Sequence, residues 1–295
     1  MPGRTTAPLP RAAIAVTPEA IERLVERTSL QLQQMSGVAD GGIKRGFVAS
    51  RLAVEVRLRG EHSLSGLLDR AEGGEAEAQH ALRDLLTINY SSFWREPEHW
   101  PILAEHLCLR IQARAPLRVW SAACARGEEA WTAALVAAEA ASHFVAFDPA
   151  WEVLGTDIDT ASLDAAIAGR YADEDIGALP ERLRSQLLAT GSTGAARWDI
   201  PADLREHVRF RHLDLARADW QPPAEAPFDA IFLSNVLIYF DRAAQERILQ
   251  NVAGCLRPEG ILFTSRTEGN LGLATRQLKA VGTCTYITAR TARRS

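Results

Sequence analysis

Cysteine is scarce in this chain of 295 residues, and its spacing supports no cysteine-based site. The four cysteines form no CxxC pair and have no histidines at ligand spacing; they are Cys108, Cys124, Cys255 and Cys284. The spacing therefore predicts neither a structural zinc site nor a disulfide framework. We interpret all four as reduced core residues. A nucleophilic Cys124 stays open only as an alternative, since no histidine and carboxylate lie near it in the sequence to activate a thiolate.

Long apolar runs and an excess of basic charge are also lacking. With 33 Lys and Arg against 37 Asp and Glu, the formal net charge is −4, so there is no global basic field for nucleic acid. No apolar run approaches the ~20 residues that span a bilayer, and membrane insertion is not expected. Residues 1–18 hold three prolines before residue 11 and are predicted to be a mobile leader, with a transit peptide as the alternative. We expect a cytoplasmic protein.

The sequence pattern changes once along the chain. Apolar residues three and four apart, punctuated by glycines such as those of GVADGG, predict a small all-α domain over 19–88. Residues 89–116 are predicted to be a connecting segment. From residue 117 to 295, apolar β-type runs alternate with helical patterns, which is typical of a parallel sheet with crossover helices. Within this α/β part, 171–207 is longer than a simple crossover requires and predicts an insertion, with a helical piece, a GSTG turn and a short strand at ARWDI.

The α/β part can be divided into individual elements. Its strands are predicted at LRVWSAA, WEVLGTDI, HVRFRHLDL, FDAIFLSNV and GILFTSR, and the tail LKAVGTCTYITAR predicts a final hairpin. Helices are predicted at 128–142, 160–169 and 241–256, the last ending at RPEG because Pro258 and Gly260 stop it before the next strand.

Glycine is nearly absent from the turn that should follow the first strand. The stretch CARGEE has one glycine and two glutamates, whereas a pyrophosphate is held by open backbone N–H groups in a glycine-rich turn. Glu128 and Glu129 would place negative charge beside a phosphate. The loop therefore predicts a ligand with positive charge and argues against NAD-dependent hydride transfer.

Polar residues follow each of the next strands, where an open parallel sheet binds its ligands. Asp157 ends the second strand, in the position of a carboxylate that accepts hydrogen bonds from a ribose diol. Asp159 lies nearer the helix start and is the better helix cap. Asp214 follows the third strand, and SNV, at 234–236, follows the fourth.

A nucleoside with an ammonium group, a sulfonium and no phosphate satisfies these requirements, which indicates S-adenosylmethionine. Glu129 could accept hydrogen bonds from the ammonium and complement its charge. The alternative is that both glutamates only stabilise a helix N-terminus, an effect of about 0.3–1 kcal/mol each.

Five ordered blocks resemble the CheR family of chemotaxis-receptor glutamate O-methyltransferases. They are NYSSFWRE at 89–96, RVWSAACARGEEAW at 118–131, GTDIDT at 155–160, FDAIFLSNVLIYFD at 228–241 and LRPEGILFTSRTEG at 256–269. The resemblance runs from about residue 19 to 290. It implies a Rossmann-like methyltransferase domain with a small inserted β-subdomain, preceded by an all-α N-terminal domain.

The resemblance also implies the roles of particular residues. The cofactor S-adenosylmethionine, which leaves as S-adenosylhomocysteine, is expected to contact Asn89, Ser91, Arg95, Glu129, Asp157, Asp214, Leu215, Ser234 and Asn235. Arg95 and Tyr239 are expected to face the reacting groups as catalytic residues. The implied acceptor is a glutamate side chain of a methyl-accepting chemotaxis receptor, and a monomer is expected.

The chain departs from the family pattern at several positions. Ser234 stands where the family usually has arginine, and Arg266 stands where it usually has histidine, which suggests the hypothesis that Arg266 replaces the charge lost at 234. An arginine pair of the N-terminal domain is replaced by Val54 and Glu55, although a cluster of basic residues remains nearby. Two alternatives therefore stay open: a methyltransferase acting on a non-chemotaxis signalling protein, and a module that binds S-adenosylmethionine without turnover.

Overall fold

A computed structural model describes most of the chain. The described residues are 17–36, 45–86, 91–144, 146–190, 197–217, 219–268 and 278–288. The proposed leader up to residue 16, the GVADGG break, Asn89 and the GSTG turn lie outside them. None of the helices within these ranges combines the length and apolar character needed to cross a membrane.

The N-terminal part is helical, as the apolar periodicity predicts. Its helices are α1 (Pro18–Ser36), α2 (Arg45–Arg59), α3 (Glu61–Glu72) and α4 (Ala76–Leu86). One leucine from each helix is at most 2% exposed, and the four belong to one apolar cluster: Leu24, Leu52, Leu68 and Leu82. Gly60, with φ of 86°, allows the sharp turn between α2 and α3.

The segment 89–116, predicted only as a connection, contains a helix of the core. This helix, α5 (His99–Gln112), buries Trp100, Leu103 and Leu107. These three side chains join the larger apolar cluster under the central sheet. The segment is therefore part of the layer that packs on the sheet.

The central sheet has seven strands in the order β6-β2-β1-β7-β8-β10-β9. The parallel strands are β1 (Leu117–Ser121), β2 (Trp151–Asp157), β6 (Val208–His212), β7 (Phe228–Leu233) and β8 (Leu256–Thr264). The predicted tail hairpin is β9 (Leu278–Gly282) and β10 (Thr285–Thr288), and β10 pairs antiparallel with β8. The mostly parallel, Rossmann-like α/β fold predicted from the sequence is confirmed.

The crossover helices begin close to their predicted positions. They are α6 (Glu128–Ser142), α7 (Thr160–Ala168) and α11 (Arg242–Ala253). The prediction that α11 continues to the RPEG stretch is wrong. The helix ends at Ala253, where the N–H groups of Gly254 and Cys255 cap the carbonyls of Gln250 and Val252, and β8 already begins at Leu256. Pro258 and Gly260 therefore lie within the strand.

The insertion forms a small antiparallel sheet, as the resemblance implies. Its strands β3 (Arg170–Ala172), β4 (Leu188–Thr190) and β5 (Arg197–Asp199) take the order β3-β5-β4. The short helices α8 (Asp173–Ile176) and α9 (Glu181–Arg184) lie between β3 and β4, and α10 (Ala202–Arg205) follows β5. Tyr171 ties this sheet to the domain below, because its hydroxyl donates to the carbonyl of Arg126 at 2.6 Å.

Strand order reverses between β1 and β7, since the chain runs outward from β1 to β2 and β6 on one side and from β7 to β8 on the other. In open α/β sheets, ligands bind beyond the carboxyl ends of the strands at such a reversal. The loops that follow β1, β2, β6, β7 and β8 therefore define the candidate site.

Candidate active site

The carboxylate of Glu129 lies where the strand order reverses. Glu129 is in the first turn of α6, and its Oε1 accepts a hydrogen bond of 2.6 Å from the hydroxyl of Ser121 at the end of β1. The side chain of Ser234, which follows β7, also hydrogen-bonds it. Loss of solvation raises the pKa of Glu129 to about 7, and the bonds from Ser121 and Ser234 and the charge of Arg95 only partly oppose this. Such a carboxylate would be stabilised by a cationic ligand.

The single glycine of the CARGEE loop is required by close packing. Gly127 precedes α6 with φ of 92°, and a Cβ there would lie 2.8 Å from the Cβ of Ala166.

Cys124, in the same loop, is fully buried, and burial raises the pKa of its thiol well above the usual value. A buried neutral thiol is a poor nucleophile, so the structure argues against the alternative of a catalytic Cys124.

The carboxylate of Asp157 is held by the backbone. Its Oδ2 accepts from the N–H of Ala125 at 2.8 Å, and its Oδ1 accepts from the N–H of Asp159 at 3.0 Å. Burial raises the pKa of Asp157, while these N–H groups lower it. A carboxylate has about four lone-pair sites, so Asp157 can still accept from a ligand hydroxyl.

Asp159 caps the following helix, as predicted. Its Oδ1 accepts from the N–H of Ala161 at 2.9 Å, and its Oδ2 accepts from the hydroxyl of Ser162 at 2.6 Å. Asp159 therefore supplies the cap of α7, and Asp157 is not needed for that purpose.

Three more of the expected cofactor residues can be located in the structure. Asp214, just beyond β6, is buried and accepts from the N–H of Ala216 at 2.9 Å, and Leu215 is 5% exposed. The side chain of Ser91 hydrogen-bonds Glu128, the buried neighbour of Glu129. Asn89 lies outside the described residues.

The loop after β7 begins with a residue in a strained backbone conformation. Asn235 has φ of 59°, in the left-handed region, and its Nδ2 donates to Thr267 Oγ1 at 2.7 Å. Its Oδ1 is buried and has no hydrogen-bond partner among the described residues. That oxygen is therefore available to a donor on a ligand.

Tyr239 ends a short 3-10 helix, Leu237–Tyr239, in the same loop. Its side chain is partly buried, and burial raises the pKa of its hydroxyl, while the charge of Arg95 lowers it. Arg95 lowers the pKa of Glu129 in the same way. The charge of the Arg95 guanidinium thus acts on both Glu129 and Tyr239.

The N-terminal helices also reach this site, which the sequence did not indicate. The ring of Phe47 on α2 lies 4.6 Å from the ring of Tyr239, centroid to centroid. The charge of Arg51, one turn further along α2, lowers the pKa of Tyr239. Helix α2 therefore forms part of the wall beside Tyr239.

Glu268 is the site residue that sequence reasoning missed. It follows β8, and its carboxylate accepts backbone N–H groups from its own loop and from the loop after β7. The signal was present in the sequence, because an acid after the fifth parallel strand has the same placement as Asp157 after the second.

Arg266 pairs with glutamates of the loop before α5. Its Nη2 lies 2.5 Å from Glu98 Oε1, and its Nε lies 3.5 Å from Glu96 Oε2. These pairs give Arg266 a role in joining two loops. They do not support the hypothesis that it replaces a charge at Ser234.

The positive charge of the predicted basic cluster on α2 is partly neutralised. Glu55 is 3% exposed and forms ion pairs with Arg51 at 3.5 Å and with Arg59 at 2.7 Å. Arg45 pairs with Glu22. Val54 is 43% exposed and Leu58 is 73% exposed, so apolar side chains occupy part of the outer face of α2.

The residues of the crevice fit S-adenosylmethionine better than a phosphate ligand. The desolvated carboxylate of Glu129 and the orphaned Oδ1 of Asn235 both suit an ammonium donor. Asp157 suits a hydroxyl pair. Within the described part of the chain, no group of three or more His, Cys, Asp and Glu side chains could hold a metal ion.

Comparisons with known proteins agree with this chemistry. The family model "CheR methyltransferase, SAM binding domain" matches residues 89–286. Chemotaxis protein methyltransferase 2 of Pseudomonas aeruginosa is 35% identical over 274 residues, which cover 92% of this chain and 93% of that protein. The chemotaxis protein methyltransferase of Salmonella typhimurium is 31% identical over 290 residues, covering 95% of this chain and 97% of that protein. The one of Escherichia coli is 31% identical over 271 residues, covering 89% and 92%.

Proposed function

This chain belongs to the CheR methyltransferase family, and we propose that it methylates glutamate side chains of a chemotaxis receptor, using S-adenosylmethionine and forming glutamyl methyl esters. The observation that carries the proposal is the desolvated carboxylate of Glu129, hydrogen-bonded by Ser121 and Ser234 at the reversal of strand order. Arg95 lies close to this carboxylate and to Tyr239. The site thus joins a cation-binding group to candidate catalytic groups.

One side of the crevice, formed by the loops after β1, β2 and β6, is proposed to hold the cofactor; we call it the cofactor side. Glu129 accepts the ammonium, and Asp157 accepts the ribose hydroxyls. The remaining contacts are proposed for Asn89, Ser91, Arg95 and the Asp214–Leu215 pair and, from the adjoining loop after β7, for Ser234 and Asn235. When bound, S-adenosylmethionine supplies an electrophilic methyl group on a sulfonium.

The opposite side, formed by the loops after β7 and β8 together with α2, is proposed to receive the acceptor glutamate; we call it the acceptor side. An acceptor glutamate has an unperturbed pKa of about 4.3 and is already ionised at neutral pH, so no general base is needed. Arg95 is proposed to hold the acceptor carboxylate, and Tyr239 to orient the reacting groups through its hydroxyl. Alignment and exclusion of water can supply most of the acceleration.

The proposal extends to the organisation of the whole protein. We assign residues 19–88 to an all-α domain and 117–295 to the methyltransferase domain, with 89–116 connecting them and 171–207 inserted. The protein is proposed to act as a monomer in the cytoplasm, where four free thiols are expected to stay reduced.

A second candidate acceptor is favoured by the outer face of α2. Three of the four arginines of this helix are paired with Glu55 and Glu22, and Val54 and Leu58 are exposed. A less acidic partner than a typical receptor surface, such as a non-chemotaxis signalling protein, would suit this face.

Methyl transfer can be tested directly with purified protein, labelled S-adenosylmethionine and receptor-containing membranes of the host. Base-labile methyl esters on the receptor are the expected product.

Tyr239→Phe should lower methyl transfer and leave cofactor binding, measured by calorimetry, nearly intact. Equal loss of both would show a structural role for Tyr239. Cofactor binding by the wild type without methyl transfer to any candidate protein would support a binding module instead.

A further inference from the structure

The carboxylate of Glu268 joins the two loops of the acceptor side. Its Oε1 accepts from the N–H of Val236 at 2.9 Å and from the N–H of Leu237 at 3.0 Å. Its Oε2 accepts from the N–H of Ser265 at 2.8 Å. One side chain thereby holds the start of the 3-10 helix after β7 against the end of β8.

The first N–H groups of any helix have no partner within the helix, and a carboxylate is the side chain that satisfies them best. Here the carboxylate comes from a loop some thirty residues away in the chain, so the contact is tertiary. Hydrogen bonds to an ionised acceptor are roughly twice as strong as neutral ones. Burial raises the pKa of Glu268, and the backbone N–H groups that it accepts oppose this by stabilising the ionised form.

The other end of the turn is fixed as well. Nε2 of Gln245 on α11 donates to the carbonyl of Leu237 at 2.7 Å and to that of Phe240 at 3.1 Å. Tyr239 lies between these two anchors. Its position relative to Arg95 and Glu129 is therefore set by Glu268 at one end of the turn and by Gln245 at the other.

Glu268 is poorly placed to take part in the chemistry itself. Both of its oxygens are occupied by backbone N–H groups of two loops. The acceptor carboxylate needs no base, so a second carboxylate has no proton to remove. The charge of Glu268 raises the pKa of Tyr239 and of Glu129, but the bonds of its oxygens serve to hold the two loops together.

We propose that Glu268 is a positioning residue for methyl transfer, which fixes the turn of residues 235–239 so that the hydroxyl of Tyr239 reaches the reacting groups. The inference rests on the proposed methyltransferase function. It adds a residue that acts through Tyr239 without touching the substrates.

A double-mutant cycle between Glu268 and Tyr239 tests this role. Glu268→Gln keeps the shape of the side chain but replaces one acceptor oxygen by an NH₂ group that faces backbone donors. Because a misplacement of about 1 Å can cost a hundredfold, we expect kcat to fall roughly 10-fold to 100-fold. The Kd for S-adenosylmethionine should change by less than about threefold, because the ammonium-binding Glu129 is left in place. In a Tyr239→Phe background, the effect of Glu268→Gln on kcat should shrink to less than about threefold.

Two further variants complete the experiment. Glu268→Asp keeps the negative charge that Glu268→Gln removes, so its kcat should lie between those of the wild type and the Gln variant. If Glu268→Gln fails to fold, Glu268→Asp takes its place in the double-mutant cycle. Glu98→Gln is the matched control, since Glu98 lies in a neighbouring loop and pairs with the exposed Arg266. Its kcat should stay within about twofold of the wild type, as is usual for an exposed ion pair.

The results separate the inference from the proposed function. Additive effects of Glu268→Gln and Tyr239→Phe, or a parallel loss of kcat and cofactor affinity, would overturn the positioning role while an active wild type upholds the methyltransferase. A folded wild type that binds the cofactor but transfers no methyl group would overturn both.

Discussion

The cofactor side and the acceptor side of the crevice hold their carboxylates in different ways. On the cofactor side, Asp157 and Asp214 each accept an N–H from a residue two positions further along the chain, and Asp157 also accepts the distant N–H of Ala125. On the acceptor side, Glu268 accepts from Val236 and Leu237, some thirty residues away. The bonds from Asp159 to Asp157 and from Ala216 to Asp214 are encoded locally and can be recognised in a short stretch of sequence. The bonds of Glu268, like the bond from Ala125 to Asp157, exist only when two strands lie side by side.

Glu129 follows β1 and so belongs to the cofactor side, but a serine from the acceptor side also hydrogen-bonds it. Ser121, at the end of β1, and Ser234, after β7, both hydrogen-bond it. Because both sides hydrogen-bond the carboxylate of Glu129, we expect a change on either side to alter the binding of S-adenosylmethionine.

The largest effect is expected on the cofactor side, from Glu129→Gln. At pH 8 it should weaken binding of S-adenosylmethionine by about 1.5–3 kcal/mol, or roughly tenfold to a hundredfold, because a charge-assisted bond is lost. The pKa of Glu129 in the free protein is raised to about 7, so the wild-type side chain is mostly neutral at pH 6. Wild-type affinity should therefore fall as the pH drops from 8 to 6, while the variant lacks this dependence.

Calorimetry at both pH values measures this difference. Glu139→Gln, on the same helix and paired with Arg182 at 2.8 Å, is the matched control and should keep the wild-type pH dependence. A wild-type affinity that is equal at pH 6 and pH 8 would contradict the assignment of the ammonium to Glu129.

A smaller effect is expected from the two serines that share Glu129. Each of Ser121→Ala and Ser234→Ala removes one hydrogen bond that orients Glu129 and stabilises its ionised form, so the variant has less charged, well-placed carboxylate for the ligand and the Kd should rise roughly twofold to tenfold. Similar losses from both variants, measured by calorimetry at pH 8, would show that the two sides cooperate in binding. No loss from Ser234→Ala would confine cofactor binding to the cofactor side and break the proposed coupling.

The smallest effect is expected on the outer face of α2. Exposed ion pairs contribute about 0–1 kcal/mol, and most arginines of this helix are already paired. Leu58→Arg and Leu58→Glu should therefore each change the KM for the receptor by less than about fivefold. The same two substitutions at Leu109, which is 59% exposed on α5, serve as the control.

Opposite changes of tenfold or more in that KM, lower for Arg and higher for Glu, would show instead that the acceptor protein is acidic and is attracted by charge. The result would also decide between a chemotaxis receptor with an acidic surface and the less acidic alternative partner.

The fold was predictable where a local pattern decides it. Helices predicted at 128–142 and 160–169 are found at Glu128–Ser142 and Thr160–Ala168, because Gly127 and Asp159 mark their starts. The end of α11 was predicted too late because proline and glycine were interpreted as a helix stop. They are instead accommodated near the start of β8, where the pairing with β7 is irregular.

The site was predictable only in part. Asp157 ends β2 and Glu129 lies in the first turn of the helix after β1, so the topology of a parallel sheet brings them to one edge. The contact between Phe47 and Tyr239 joins residues almost two hundred positions apart, and no local pattern announces it. The neutralisation of the α2 arginines by Glu55 likewise required knowing which face of the helix is buried.

The order of residues was enough to establish the alternation of strands and helices, the acidic character of the loop after β1 and the resemblance to one family. These features depend on residues close together in the chain, whose hydrophobic period, capping and charge act locally. Tertiary structure alone decided which serines share Glu129, which helix lies against Tyr239 and which carboxylate anchors its turn. Those contacts arise because parallel strands distant in sequence end at the same edge of the sheet, where their loops meet.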